Sequence, residues 1–166
     1  MLTIDENLHP DIAPLAWLIG RWEGAGVVGY PTMEESANFG QELVVEHDGR
    51  PFLSWTSRTW ILDESGQKVR PSASESGYWR AAGEGEVELL LAHPTGIVEM
   101  YYGTVEPARI QVRTDSVVRS PSAKEYTAAA RMYGLVGGNL MWVMDMAAMG
   151  ETTTSHVSAE LKRVDG

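Results

Sequence analysis

The sequence predicts an all-β protein, about ten antiparallel strands closed up-and-down into one barrel behind a single short helix. Three observations predict it. From Gly20 onward the chain reads as short segments rich in β-branched and aromatic residues, without a sustained helical period. Gly- and Pro-containing turn signals separate these segments at about the 8–12-residue spacing of sandwiches and barrels. The connections are short, which favours antiparallel neighbours over crossover helices.

The helix comes first. In "PDIAPLAWLIG" Ile12, Leu15, Ala16 and Ile19 follow helical spacing, Asp11 stands where a cap is expected, and Gly20 ends the run. Pro14 falls close enough to the start to be tolerated. The stretch "GRWEGAGVVGYPT" then interleaves glycine with Trp22 and Tyr30. A phosphate-cradling loop would need a helix after its glycines and a lysine near its end, and neither is there. Glycines in a strand instead mark bends or close backbone approach, as a curling sheet requires. Trp22, fed directly by the helix, is expected to plug one end of the barrel.

The remaining strands are read in "QELVVEH", "PFLSWTSRTWIL", "SGYWRAA", "EVELLLAH", "GIVEMYYGTV", "ARIQVRT", "EYTAAARMY", "LMWVMDMAAM" and "TSHVSAELKRV". The turns between them are "HDGRP", "DESGQ", "AGEGE", "HPTG", "SPSAK" and "VGGN". No repeat, linker or low-complexity tract interrupts them, so residues 1–166 read as one domain.

Composition narrows the function. The chain has 166 residues, enough for one well-buried core, and 43% hydrophobic with 22% charged residues is ordinary for a globular domain. A net charge of −10 argues against nucleic acid and anionic membrane surfaces as partners. With no cysteine, disulfides, thiolate metal sites and cysteine nucleophiles are excluded. The acidic start "MLTIDENLHPD" lacks the basic and apolar regions of a signal peptide, and no apolar run approaches a membrane span. A cytoplasmic monomer or homodimer is expected.

Candidate chemistry is sparse. His9 stands in the N-terminal segment before Pro10, and His47 and His93, before Asp48-Gly49 and Pro94, read as turn residues. His156 lies inside the final strand, where alternation puts Val157, Ala159 and Leu161 on one face and His156, Ser158 and Glu160 on the other. That face is either solvated or lines a polar cavity at a barrel mouth, and only the second gives His156 a ligand role. Leu140, Trp142, Met144 and Met146 share one face of the preceding strand, a soft apolar stripe that suits a core or a pocket for a large flat cofactor. No second ligand stands near His156 at metal-cage spacing, and no serine sits in a nucleophile elbow.

Several of these stretches together resemble the nitrobindins, small heme-binding β-barrels. "GRWEGAGVVGYPTM" is similar to their G-x-W-x-G-x-G-x-G-x-Y-P-T-I signature. The likeness continues in order through "GQELVVEHDGRPFLSWTSRTW", "SESGYWR", "LAHPTGIVEMYYG", "PSAKEYTAAARMY" and "TSHVSAELKR". The resemblance implies a ten-stranded antiparallel barrel related to the lipocalin and fatty-acid-binding folds, holding ferric heme b near one mouth. It implies that His156 is the iron ligand and that Thr32, Lys124 and Met146 lie against the cofactor. Its implied activity is isomerisation of peroxynitrite to nitrate, with nitric oxide binding by the ferrous form and the chemistry carried by the iron alone. The chain departs from the pattern at Val28-Gly29, at Met33, and at Ser72-Ala73, where some relatives carry a histidine.

The alternative is a non-enzymatic barrel, either a nitric-oxide or heme sensor or an apolar-ligand carrier. A carrier of the fatty-acid type needs a buried arginine for the carboxylate. Arg58, Arg80 and Arg131 are the candidates, and the sequence does not distinguish them.

Overall fold

The computed structural model describes residues 6–29, 37–123, 126–148 and 155–164. A 3-10 helix over Pro10–Leu18 precedes ten strands: β1 (Gly20–Gly29), β2 (Ala37–Glu46), β3 (Phe52–Leu62), β4 (Lys68–Gly83) and β5 (Glu86–His93), then β6 (Ile97–Glu106), β7 (Arg109–Arg119), β8 (Tyr126–Val136), β9 (Asn139–Ala148) and β10 (Ser155–Val164). Each strand pairs antiparallel with the next, and β10 returns to β1, so the sheet closes. The expected up-and-down barrel is present. Turn glycines take up the reversals: Gly49, Gly66, Gly85, Gly96, Gly137 and Gly138 all have positive φ.

The helix differs in detail from the expectation. Pro10 stands at its start, so the cap lies two residues earlier than Asp11: the His9 ring Nδ1 accepts from the Asp11 amide at 3.1 Å. It ends at Leu18 with Ile19 extended, and Gly20, at φ +140°, opens β1 rather than closing the helix.

This helix closes one end of the barrel. Trp22 is 0% exposed, and its indole Nε1 donates to the Leu18 carbonyl at 2.9 Å. The Arg163 guanidinium lies 4.1 Å from the Trp22 ring centroid and donates to the carbonyls of Ile19 and Trp17. Helix, β1 and β10 are thereby bolted together. The glycines of β1 permit tight closure against β10: a Cβ at Gly24 or Gly26 would overlap the carbonyl oxygens of Glu160 and Ser158.

Above this plug the interior is aromatic. Trp55, Trp79 and Tyr133 meet edge to face at centroid distances of 5.3–5.7 Å, and Trp142 stacks on Tyr133 at 5.8 Å. Trp22 faces Arg163 near the closed end, whereas Gly29 faces His156 at the other end of the same strand pair. Seven residues of strand, roughly 23 Å, separate the plug from that opposite end.

Candidate functional site

The inward faces of β8–β10 and β1–β5 leave a cavity of about 170 Å³ in the part of the barrel away from the helix. Its apolar wall includes Phe39, Trp142, Met144, Met146 and Val157. The stripe expected on β9 is therefore real: Leu140, Trp142 and Met144 are buried, Met146 is half-buried, and Met141 points outward. Ser72 and Ala73, the departure noted in the sequence, line the same cavity.

His156 lies on the opposite face of β10 from Val157, as the alternation predicts, with its side chain 59% exposed. It is not among the cavity-lining residues, whereas its neighbour Val157 is. Two features define the surroundings of the imidazole. Its cross-strand partner is Asp145, whose Oδ1 lies 2.9 Å from Nδ1. A carboxylate only accepts, so Nδ1 carries the hydrogen of this bond and Nε2 of the neutral ring is the basic nitrogen. On its other side the paired residue is Gly29, which sets no side chain beside the ring. A carboxylate that fixes the tautomer of a histidine is the usual support of a metal-ligating imidazole. The thioether- and indole-lined cavity suits a large flat apolar cofactor, whereas the His156 ring points away from it, to the outer face of β10. Thr32 and Lys124 fall outside the described residues. Among the described residues no cluster of three or more His, Asp or Glu is arranged to hold a bare metal ion.

The polar side of the cavity was not anticipated. Arg131, its side chain 2% exposed, donates to both Glu75 oxygens at 2.9 and 2.8 Å, to the Tyr101 hydroxyl at 3.0 Å and to the Tyr133 hydroxyl at 3.0 Å. Trp55 Nε1 also donates to Glu75. Burial opposes both charges. For Glu75, burial raises the carboxyl, but the Arg131 charge and hydrogen bonds, with His93 and Trp55, pull it below the usual carboxylate range. For Arg131, burial opposes the charge, yet Glu75 and the two tyrosines hold it well above its ordinary value. Burial pushes the Tyr133 phenol up.

Beside this pair, Trp142 Nε1 donates to Gln41 Oε1 at 2.8 Å and Gln41 Nε2 to Ser57 Oγ at 2.9 Å, satisfying a second buried polar group. His93 is not a bystander in a turn. It ends β5, lines the cavity, and places Nε2 2.5 Å from Glu99 Oε1. The signal was present in the strand phases. Glu75 shares a face with Trp79, Glu99 with Tyr101, and Arg131 with Tyr133, so charges stand where the core residues stand.

Of the three arginines, only Arg131 is buried; Arg58 and Arg80 are exposed. The buried one lines the cavity and is already bound twice by the chain's own carboxylate, Glu75.

The Glu75–Arg131 pair makes stability depend on acid. Glu75 is held below its ordinary value of 4.5, so its contribution is complete above that pH and is lost as pH falls through the lowered value. The melting temperature of the wild type is expected to fall more steeply on acidification below 4.5 than that of a Glu75→Gln/Arg131→Met variant. Parallel curves would mean that the pair adds nothing to acid stability.

Comparison with known proteins agrees with this geometry. The family model described as a THAP4-like, heme-binding beta-barrel domain matches residues 11–163. A protein of Nocardioides sp. named peroxynitrite isomerase is 51% identical over 160 residues, covering 96% of this chain and 97% of its own. A ferric nitrobindin-like protein of Kineococcus radiotolerans is 49% identical over 167 residues, covering 92% of this chain and 93% of its own. The crystal structure of Rv2717c from M. tuberculosis superposes with a TM-score of 0.84 at 36% identity, over 95% of this chain and 99% of that one. A barrel with this register, this cavity and these relatives belongs to the THAP4-like heme-binding β-barrel family, and heme is its cofactor.

Proposed function

We propose that the protein is a heme-dependent peroxynitrite isomerase in which His156 ligates the iron. The observation that carries the ligand reading is the Asp145–His156 bond, which holds a strand-borne imidazole with its Nε2 basic. The activity is supported by the relatives named peroxynitrite isomerase at 51% and 45% identity. When bound, heme would supply an iron centre at which peroxynitrite becomes nitrate, a rearrangement that consumes no electron donor and no co-substrate.

The chain's own residues orient and shield. Asp145 fixes the imidazole, while Trp142, Met144, Met146 and Val157 form an adaptable apolar wall that excludes water. Thr32 and Lys124 complete the cofactor contacts in this reading. It includes a ferric resting state, nitric oxide as a ligand of the ferrous form, and action in the cytoplasm as a monomer or homodimer.

Asp145→Asn tests the support directly. An amide can also hold Nδ1, but as a weaker acceptor without charge, so hemin affinity is expected to fall by roughly 10–100-fold. The check is a spectrophotometric hemin titration, with circular dichroism to show an intact barrel. An affinity unchanged in Asp145→Asn would remove this hydrogen bond from the account. Stopped-flow peroxynitrite decay separates the enzyme from a sensor: a sensor binds hemin but does not accelerate nitrate formation.

A further inference from the structure

Three cavity-lining side chains, Trp142, Gln41 and Ser57, form a relay whose hydrogens can run in one direction only. An indole nitrogen donates and never accepts, so the atom of Gln41 that faces Trp142 Nε1 at 2.8 Å is the amide oxygen. That fixes the other end of the amide. Gln41 Nε2, 2.9 Å from Ser57 Oγ, is the donor there, and the serine oxygen accepts. A flipped amide would set two donors against each other at the indole. The hydrogen of the Ser57 hydroxyl is therefore not used by the relay.

Nothing else in the wall takes it up. Ser57 is 3% exposed, and among the described residues its hydroxyl has no acceptor. Its cross-strand neighbours are Leu43 on β2 and Glu75 on β4. The leucine side chain cannot accept, and the Glu75 oxygens are taken by Arg131 and Trp55. The other hydroxyls of the cavity differ. Thr59 Oγ1 accepts from the Ala73 amide at 2.9 Å and donates to the Ala73 carbonyl at 3.3 Å, so it is closed on the backbone. Ser72 and Ser74 stand exposed. A buried donor left unpaired is costly, and the cavity is the space where Ser57 can find a partner.

We propose that Ser57 is the hydrogen-bond donor that the cavity offers to its small ligand, whose class is defined by a terminal oxygen acceptor. Peroxynitrite and nitrate both belong to that class. Gln41 and Trp142 are positioning residues that act through the hydroxyl: each link polarises the next, which strengthens the last donor. The role is orientation. A neutral hydroxyl adds no charge to the cavity and draws no anion in; it favours the arrangement in which a ligand oxygen faces β3. The inference rests on the proposed function in that the ligand is read at heme held in the same cavity.

Ser57→Thr and Ser57→Val give side chains of the same shape that differ in the hydroxyl. Nitrite, a small molecule with oxygen acceptors, is the probe, titrated by the visible spectrum of each variant at full hemin loading and one pH. Ser57→Thr is expected to bind nitrite as the wild type does, and Ser57→Val about 2–10-fold more weakly. Equal nitrite affinity in the two variants would overturn the proposal. Neutron diffraction from the deuterated protein reads the relay without reference to heme. The Ser57 deuterium is expected to point into the cavity, and a deuterium turned to Glu75 or to a main-chain carbonyl would also overturn it. A wild type that takes up no hemin would instead overturn the cofactor reading, on which the deuterium position does not depend.

Discussion

Arg131→Ala is expected to destabilise the protein by about 3–5 kcal/mol, because it strands buried carboxylates without their cation. The guanidinium makes four hydrogen bonds inside the barrel, two to Glu75 and one each to Tyr101 and Tyr133. Removing it takes away the cation that faces Glu75 and Glu99. Arg131→Lys should recover little of the loss, since a single ammonium cannot reproduce a planar fork bound to both oxygens of one carboxylate and to two phenols. Chemical denaturation of each variant measures this. A loss below about 1 kcal/mol for Arg131→Ala would mean that the cavity floor is wet enough to solvate its carboxylates.

Trp22→Ala should cost a similar amount, about 3–5 kcal/mol, for a different reason. Here the loss is volume. The indole fills the closed end between the helix and the strands, and its neighbours are tied to fixed backbone positions by Arg163 and cannot collapse into the void. The hydrogen bond to the Leu18 carbonyl goes with it. Trp22→Phe should recover most of the packing and none of the hydrogen bond, so its loss should be well under half as large. A Trp22→Ala protein as stable as the wild type would show that the helix closes the barrel without it.

The barrel was legible because its signals are local. Turn glycines, β-rich runs and the Gly24/Gly26 approach to β10 each follow from short-range chemistry, and the strand count came out at ten. The helix was harder: a cap on the His9 ring cannot be read from propensity, which ranks Asp above His at that position. The site was half legible. The alternation of β10 placed His156 on the polar face, and the structure keeps it there, outside the cavity-lining set. Its partner Asp145 follows from the β9–β10 register, which the sequence does not specify residue by residue. The Glu75–Arg131–Glu99–His93 group joins four strands across up to 56 positions of chain, so nothing in the spacing announces it. What did announce it was phase, a charged residue in step with Trp79, Tyr101 or Tyr133, and that signal is easily taken for a bulge.

His156 is the proposed residue through which this barrel holds heme. The most direct measurement is a hemin titration of wild type and His156→Ala, followed by the ferric spectrum and the rate of peroxynitrite decay. Because the ring is exposed and its removal opens no void, the variant should melt with the wild type. The wild type is expected to show a Soret band of imidazole-bound heme and to speed nitrate formation. His156→Ala, equally folded, is expected to lose both, and added free imidazole to restore the band. A His156→Ala protein with the wild-type spectrum and the wild-type decay rate would contradict this role of His156.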